Sequence, residues 1–115
     1  MKFNKLILII LILSTLIIQF PLLLIAGDFQ TAEKHFYEGK YEEALSHYQK
    51  SVSKYKNNKK ISAYIDYQIA ECYYFQRKYN KAIKKYNDII ERDSQNEIKI
   101  RIMSRLGDSY FLIKN

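Results

Sequence analysis

The 115-residue sequence holds one cysteine, one proline, three glycines and no tryptophan. A lone thiol, Cys72, excludes an internal disulfide, so any fold must rest on packed side chains. Cys72 itself reads as a small buried apolar residue rather than a reactive thiol. The scarcity of proline and glycine leaves long stretches free to run as helix. Catalytic signatures are missing as well. There is no HExxH or CxxC, no glycine-rich phosphate loop and no GxSxG. His35 and His47 are the only histidines. Glu42, Glu43, Asp88, Glu91 and Asp93 have basic neighbours at helical spacing, which surface pairing explains. The sequence thus offers no catalytic, cofactor-binding or metal site, and the protein is not expected to be an enzyme.

Charge of either sign is absent between Lys5 and Asp28. Residues 1–27 comprise a short basic head and an apolar run, Leu6 to Ala26, interrupted only by Ser14, Thr15, Gln19 and Pro21. Two readings stand. A cleaved leader needs small residues before the cut, and Leu24 or Ile25 fits poorly there. A membrane anchor needs about 20 apolar residues, and residues 6–26 supply that length. The anchor is favoured slightly. Either way Lys2 and Lys5 hold the head in the cytoplasm. Everything after Asp28 is then expected to be exported, as a periplasmic or extracellular domain, membrane-anchored or secreted to the periplasm if cleaved.

The remaining residues, 28–115, keep an excess of Lys and Arg over Asp and Glu. The basic residues are spread out rather than gathered with stacking aromatics on one face, so no nucleic-acid partner is expected.

What is present is a repeat. Tyr41-x-x-Ala44-Leu45-x-x-Tyr48-x-x-x-Val52 recurs as Tyr79-x-x-Ala82-Ile83-x-x-Tyr86-x-x-x-Ile90. Phe36, Tyr37 and Gly39 match Tyr74, Phe75 and Arg77. A third copy opens at Leu106-Gly107-x-x-Tyr110-Phe111, aligned with Ile69-Ala70-x-x-Tyr73-Tyr74. Apolar residues within each copy fall at steps of three and four, which is helical. Helices are predicted at about 28–38, 41–55, 61–77, 79–93 and 97–113. The copies cover about 28–58, 61–96 and an incomplete 97–115. Ala44, Ala82, Ala70 and Gly107 are expected where paired helices cross closely.

These residues resemble the tetratricopeptide repeat family: Ile69-Ala70-x-x-Tyr73, Tyr79-x-x-Ala82 and Tyr86-x-x-Ile89 in copy two, Leu106-Gly107-x-x-Tyr110 in copy three. The fold implied is all-α, an α-solenoid of helix–turn–helix units with about two and a half repeats after an N-terminal apolar helix. The spacing is longer than the family's usual 34 residues, and Lys56 and Ser94 replace its closing proline. In this the chain resembles the exported longer-repeat class of periplasmic Tol-Pal-associated proteins and outer-membrane assembly helical proteins.

The resemblance implies a protein-interaction scaffold whose first helices line a concave groove for a protein or peptide partner. Groove positions are Glu33 and Tyr37 in copy one, Tyr67, Gln68, Glu71, Tyr74 and Phe75 in copy two, and Arg105 and Asp108 in copy three. The subtype that grips a terminal carboxylate needs Lys, Arg and Asn there and is rejected. Glu33, Glu71 and Asp108 share one repeat position. They form either an acidic row that receives a basic segment or a solvent-facing position that tolerates any polar residue. The third helix carries apolar residues on several faces. It predicts a homo-oligomer through residues 97–115, a partner, or a fragment of a longer array.

Overall fold

The computed structural model describes residues 2–24, 27–92 and 98–115, with side chains described for 4–15, 27–92 and 98–115. Among the described residues the chain is helical with no strand. The helices are α1 (Lys2–Leu24), α2 (Asp28–Tyr37), α3 (Tyr41–Tyr55), α4 (Lys59–Phe75), α5 (Tyr79–Arg92) and α6 (Lys99–Lys114). The described side chains Leu6 to Leu13 of α1 are all exposed. No helix among the described residues is long and apolar enough to cross a membrane. The leader or anchor expected over residues 1–27 lies partly outside them, as do Asp93 and the interval 94–96 between two predicted helices.

From α2 onward each helix packs on the next in chain order. The turn that reverses the chain within a pair is built the same way twice. After α2, the Gly39 N–H donates to Phe36 and the Lys40 N–H reaches back to His35. After α4, the Arg77 N–H donates to Tyr74 and the Lys78 N–H to Tyr73. This five-residue return requires a left-handed residue just past the helix. Gly39 supplies it at φ 75°, and Arg77 adopts it at φ 61° despite its side chain. That geometry ends α4 at Phe75, two residues before the predicted boundary. At its other end the Asn58 side chain accepts from the Ile61 N–H at 3.2 Å. This N-cap starts α4 at Lys59, two residues ahead of the predicted start.

The small residues sit where close packing requires them. Ala32, Ala44, Ala70 and Ala82 are each 0 % exposed. Around Ala32 and Ala44 gather Tyr48, Ile65, Ile69 and Cys72. Around Ala70 and Ala82 gather Tyr67, Tyr86, Ile89 and Ile102. Cys72 is a free thiol within the first cluster, and burial pushes it up to about 12, with Glu71 adding to the effect. Gly107 departs from the expectation. It is exposed, and a Cβ placed on it would meet no atom within 4 Å.

α4 occupies the middle of the stack. Every residue from Ile65 to Cys72 is buried. That run includes Asp66, Gln68 and Glu71, so three polar side chains lie inside a small helical core. Buried polar groups demand partners, and those partners define the site.

Candidate functional site

Two of the three carboxylates that share a repeat position, Glu33 and Glu71, are connectors between helices. Glu33, on α2, is half-buried. It accepts from the Tyr48 hydroxyl on α3, from the Tyr64 hydroxyl at 3.2 Å and from Gln68 Nε2 at 3.4 Å, both on α4. Glu71, one repeat later on α4, is 4 % exposed. It accepts from the Tyr86 hydroxyl on α5 and from Arg105 on α6. Arg105 grips it with two nitrogens: Nε lies 2.9 Å from one carboxylate oxygen and Nη2 lies 3.0 Å from the other. In both copies the carboxylate joins the first helix of a pair to its own second helix and to the first helix of the following pair.

The electrostatics follow. A carboxylate this deeply buried is costly unless it is hydrogen-bonded and paired. The donors carry the complementary shifts. Burial pushes the Tyr48 and Tyr86 hydroxyls well above the ordinary tyrosine range, and the adjoining carboxylates add to it. Tyr64 is pushed up to about 12, by burial first and then by Glu33. Burial works against the Arg105 charge, but the Glu71 hydrogen bonds outweigh it and the guanidinium is held protonated.

Arg105 also covers aromatic faces, 4.5 Å from the Tyr74 ring and 5.3 Å from the Phe75 ring. From there a chain of rings runs back across the stack. Tyr74 meets Phe75 at 5.3 Å, Phe75 meets Phe36 at 5.9 Å, and Phe36 meets Tyr37 at 6.3 Å. Tyr41 stacks beneath Phe75 at 4.8 Å. The outer members are open: Tyr37 is 79 % exposed and Phe75 40 % exposed. Leu112 holds the same repeat position on α6 and is also exposed. Tyr37 and Phe75, linked through Phe36, form an apolar ledge at the C-terminal ends of the first helices, and Leu112 continues its register on α6.

The expected groove residues therefore separate into groups. Tyr37, Tyr74 and Phe75 belong to the ledge, with Arg105 against it. Glu33 and Glu71 are joined to neighbouring helices. Tyr67, Gln68 and Glu71 are buried between helices, out of reach of a segment lying in a groove. Asp108 is exposed and meets no donor among the described residues. Against the acidic-row reading, the first two carboxylates already have internal donors. Against the solvent-facing reading, Glu71 is buried.

A missed signal was available in the sequence. Glu33 and Tyr48 are 15 residues apart, and so are Glu71 and Tyr86. Another pairing joins His47 Nδ1 to Asp28 at 2.9 Å, with the His47 ring stacked on His35 at 5.5 Å. It ties the start of α2 to the middle of α3.

The segment from Tyr64 through residue 96 matches the family described as Tetratricopeptide repeat. That span takes in most of α4 and all of α5, with Glu71 and Tyr86 inside it. The pair α2–α3 repeats its turn and its carboxylate–tyrosine bond, so the chain carries one matched tetratricopeptide repeat and a second helix pair built on the same plan. A repeat of this kind points to protein–protein interaction. No curated protein and no solved structure matches the chain.

Proposed function

We propose that this chain is an exported, membrane-tethered interaction scaffold that holds a partner protein against the ledge formed by Tyr37 and Phe75 and continued in register by Leu112. The observation carrying the proposal is three exposed apolar side chains in one repeat register, on helices locked together by internal carboxylate bonds. Exposed aromatic anchors on a rigid support are the usual source of affinity in protein recognition. The exposed residues Arg77 and Lys78 in the turn beside the ledge favour a partner segment with acidic flanks, by charge complementarity.

The placement outside the cytoplasm rests on sequence: Lys2 and Lys5 precede a run without charge. The repeat spacing of 37 or 38 residues supports the likeness to the exported longer-repeat class. A reporter enzyme that is active only after export, fused behind Asn115, is expected to be active. An inactive fusion contradicts export and leaves the ledge untouched.

Binding is tested by affinity capture from detergent-solubilised membranes with the full chain. The wild type is compared with Tyr37→Ser and Phe75→Leu, each checked for helix content and melting. The proposal expects a partner whose recovery falls about tenfold or more in both variants, the loss typical of an anchor worth over 1 kcal/mol. Equal recovery by folded variants removes the ledge from the binding surface.

A further inference from the structure

Given the membrane anchor proposed for residues 6–26, we infer that the end of the stack nearest α1 rests on anionic lipid, with a headgroup phosphate seated in a basic cleft between α4 and α5.

The cleft measures about 360 Å³ and is lined by Lys56, Lys59, Ser62, Ala63, Ile89 and Arg92. Three elements supply its cations. Lys56 follows α3, Lys59 opens α4 and Arg92 closes α5. Ile89 is buried, Ser62 and Ala63 are half-buried and the three cations are exposed, so a charged rim surrounds a largely apolar base. Arg92 is shared with Asp66. Lys56 and Lys59 pair with no carboxylate among the described residues. Their charge is therefore uncommitted, and lysine binds phosphate as a point charge. The N-terminal turn of α4 adds the positive end of its dipole.

Location decides the source of the phosphate. The four residues from Leu24 to Asp28 span at most about 14 Å, so the start of α2 stays close to the end of α1. The end of α3 and the start of α4 lie at that same place: the Phe29 ring is 5.6 Å from Tyr55 and 6.1 Å from Tyr64. α5 returns to this end, where Arg92 meets Asp66. Lys54, Lys56, Lys59 and Lys60 are all exposed here. The nearby acids are already engaged: Asp28 with His47 and Asp66 with Arg92. Glu91 lines a separate cleft with Lys85. At this end there is also an aromatic cleft of about 500 Å³, lined by Phe29, Gln30, Tyr55, Lys60, Ile61 and Tyr64. Aromatic and basic side chains gathered at one end match a membrane–water interface, where lipid meets both kinds. A dissolved phosphate would meet only the cations. The ledge lies at the opposite ends of the first helices, so a stack seated this way turns the ledge away from the bilayer.

Lysine footprinting tests the seat. The full chain is reconstituted in vesicles of phosphatidylcholine and in vesicles of equal parts phosphatidylcholine and phosphatidylglycerol, in a buffer without phosphate. A neutral acylating reagent is added, and mass spectrometry reads the modification of each lysine. Lys56, Lys59 and Lys60 are expected to react about fivefold or more slower in the anionic vesicles, the scale of one lysine held at an anionic surface. Lys40, Lys50 and Lys84 are expected to react alike in both. In Lys56→Ala/Lys59→Ala the protection of Lys60 is expected to disappear, and its persistence removes the basic cleft as the seat. Inorganic phosphate added to the phosphatidylcholine vesicles is expected to protect nothing. Equal protection by phosphate alone overturns lipid as the source. Equal rates in the two vesicle types, with the chain floating with both, overturn the lipid seat and leave the anchor standing. A chain that floats with neither removes the anchor and the seat together.

Discussion

Among the described residues Glu71 and Arg105 form the most deeply placed ion pair, and its geometry argues for a structural role. Removing one member of a buried pair leaves the other without compensation, which costs about 3–5 kcal/mol when both are enclosed. Arg105 keeps 30 % of its side-chain exposure, so the lower end applies. Glu71→Ala is expected to destabilise the chain by about 2–4 kcal/mol in urea unfolding. Glu33→Ala, with neutral donors and a half-buried carboxylate, is expected to cost about 1–2 kcal/mol. An equal loss in both variants contradicts the unequal burial on which this ordering rests. The tyrosine donors predict the pH response. Tyr64 is raised from 10.0 to about 12 in the folded state, so the folded chain holds that proton more tightly than the unfolded one. Its contribution is complete below pH 10 and is lost as pH rises towards 12. Tyr48 and Tyr86 shift in the same direction. Thermal melting is expected to be flat from pH 7 to 9 and to fall steeply above 10. Cys72, buried and pushed up to about 12, is expected to resist a thiol reagent at pH 8 until urea unfolds the chain.

The turns explain why two helix pairs of different sequence share one shape. Both use the same return bond and the same left-handed residue, glycine once and arginine once. A non-glycine residue in that region costs about 1–2 kcal/mol, part of which glycine returns as unfolded-state entropy. Arg77→Gly is therefore expected to stabilise the protein by about 0.5–1 kcal/mol, seen as a higher urea midpoint at unchanged slope. Much of this level was legible in the sequence. Steps of three and four placed α2, α3 and α5 almost to the residue, because periodic burial is what makes those segments helical. The recurring alanines marked the crossings for a similar reason: only a small side chain fits there. The ends of α4 were less legible. Asn58 lies among lysines outside the predicted helices, and nothing in that polar run singles out its side chain as the cap. Arg77 falls inside the predicted helix 61–77, because nothing local in an arginine announces a left-handed backbone. The carboxylate contacts needed knowledge of which helices pair, since Glu71 finds Arg105 34 residues away. Gly107 looked like another crossing residue. Its register is right, but no described helix crosses it.

Over the stack as a whole, the internal bonds and the exposed surfaces have different parts. Glu33 and Glu71 fix each helix pair to the next. On that frame the sequence places Tyr37, Phe75 and Leu112 in one exposed row. The site residues that the family resemblance suggested are thus divided between the frame and the row, apart from Asp108, which belongs to neither. The central claim is that the row, and not the opposite side of the helices, meets the partner. It is tested most directly by site-specific photo-crosslinking in the cells that make the protein. A photoreactive residue is placed at Tyr37 in one strain, at Phe75 in a second, and at the exposed Lys50 or Lys84 of the second helices in two more. The account predicts one discrete crosslinked species from Tyr37 and Phe75 and none from Lys50 or Lys84. Crosslinks of equal yield from all four positions, or from Lys50 and Lys84 alone, contradict it.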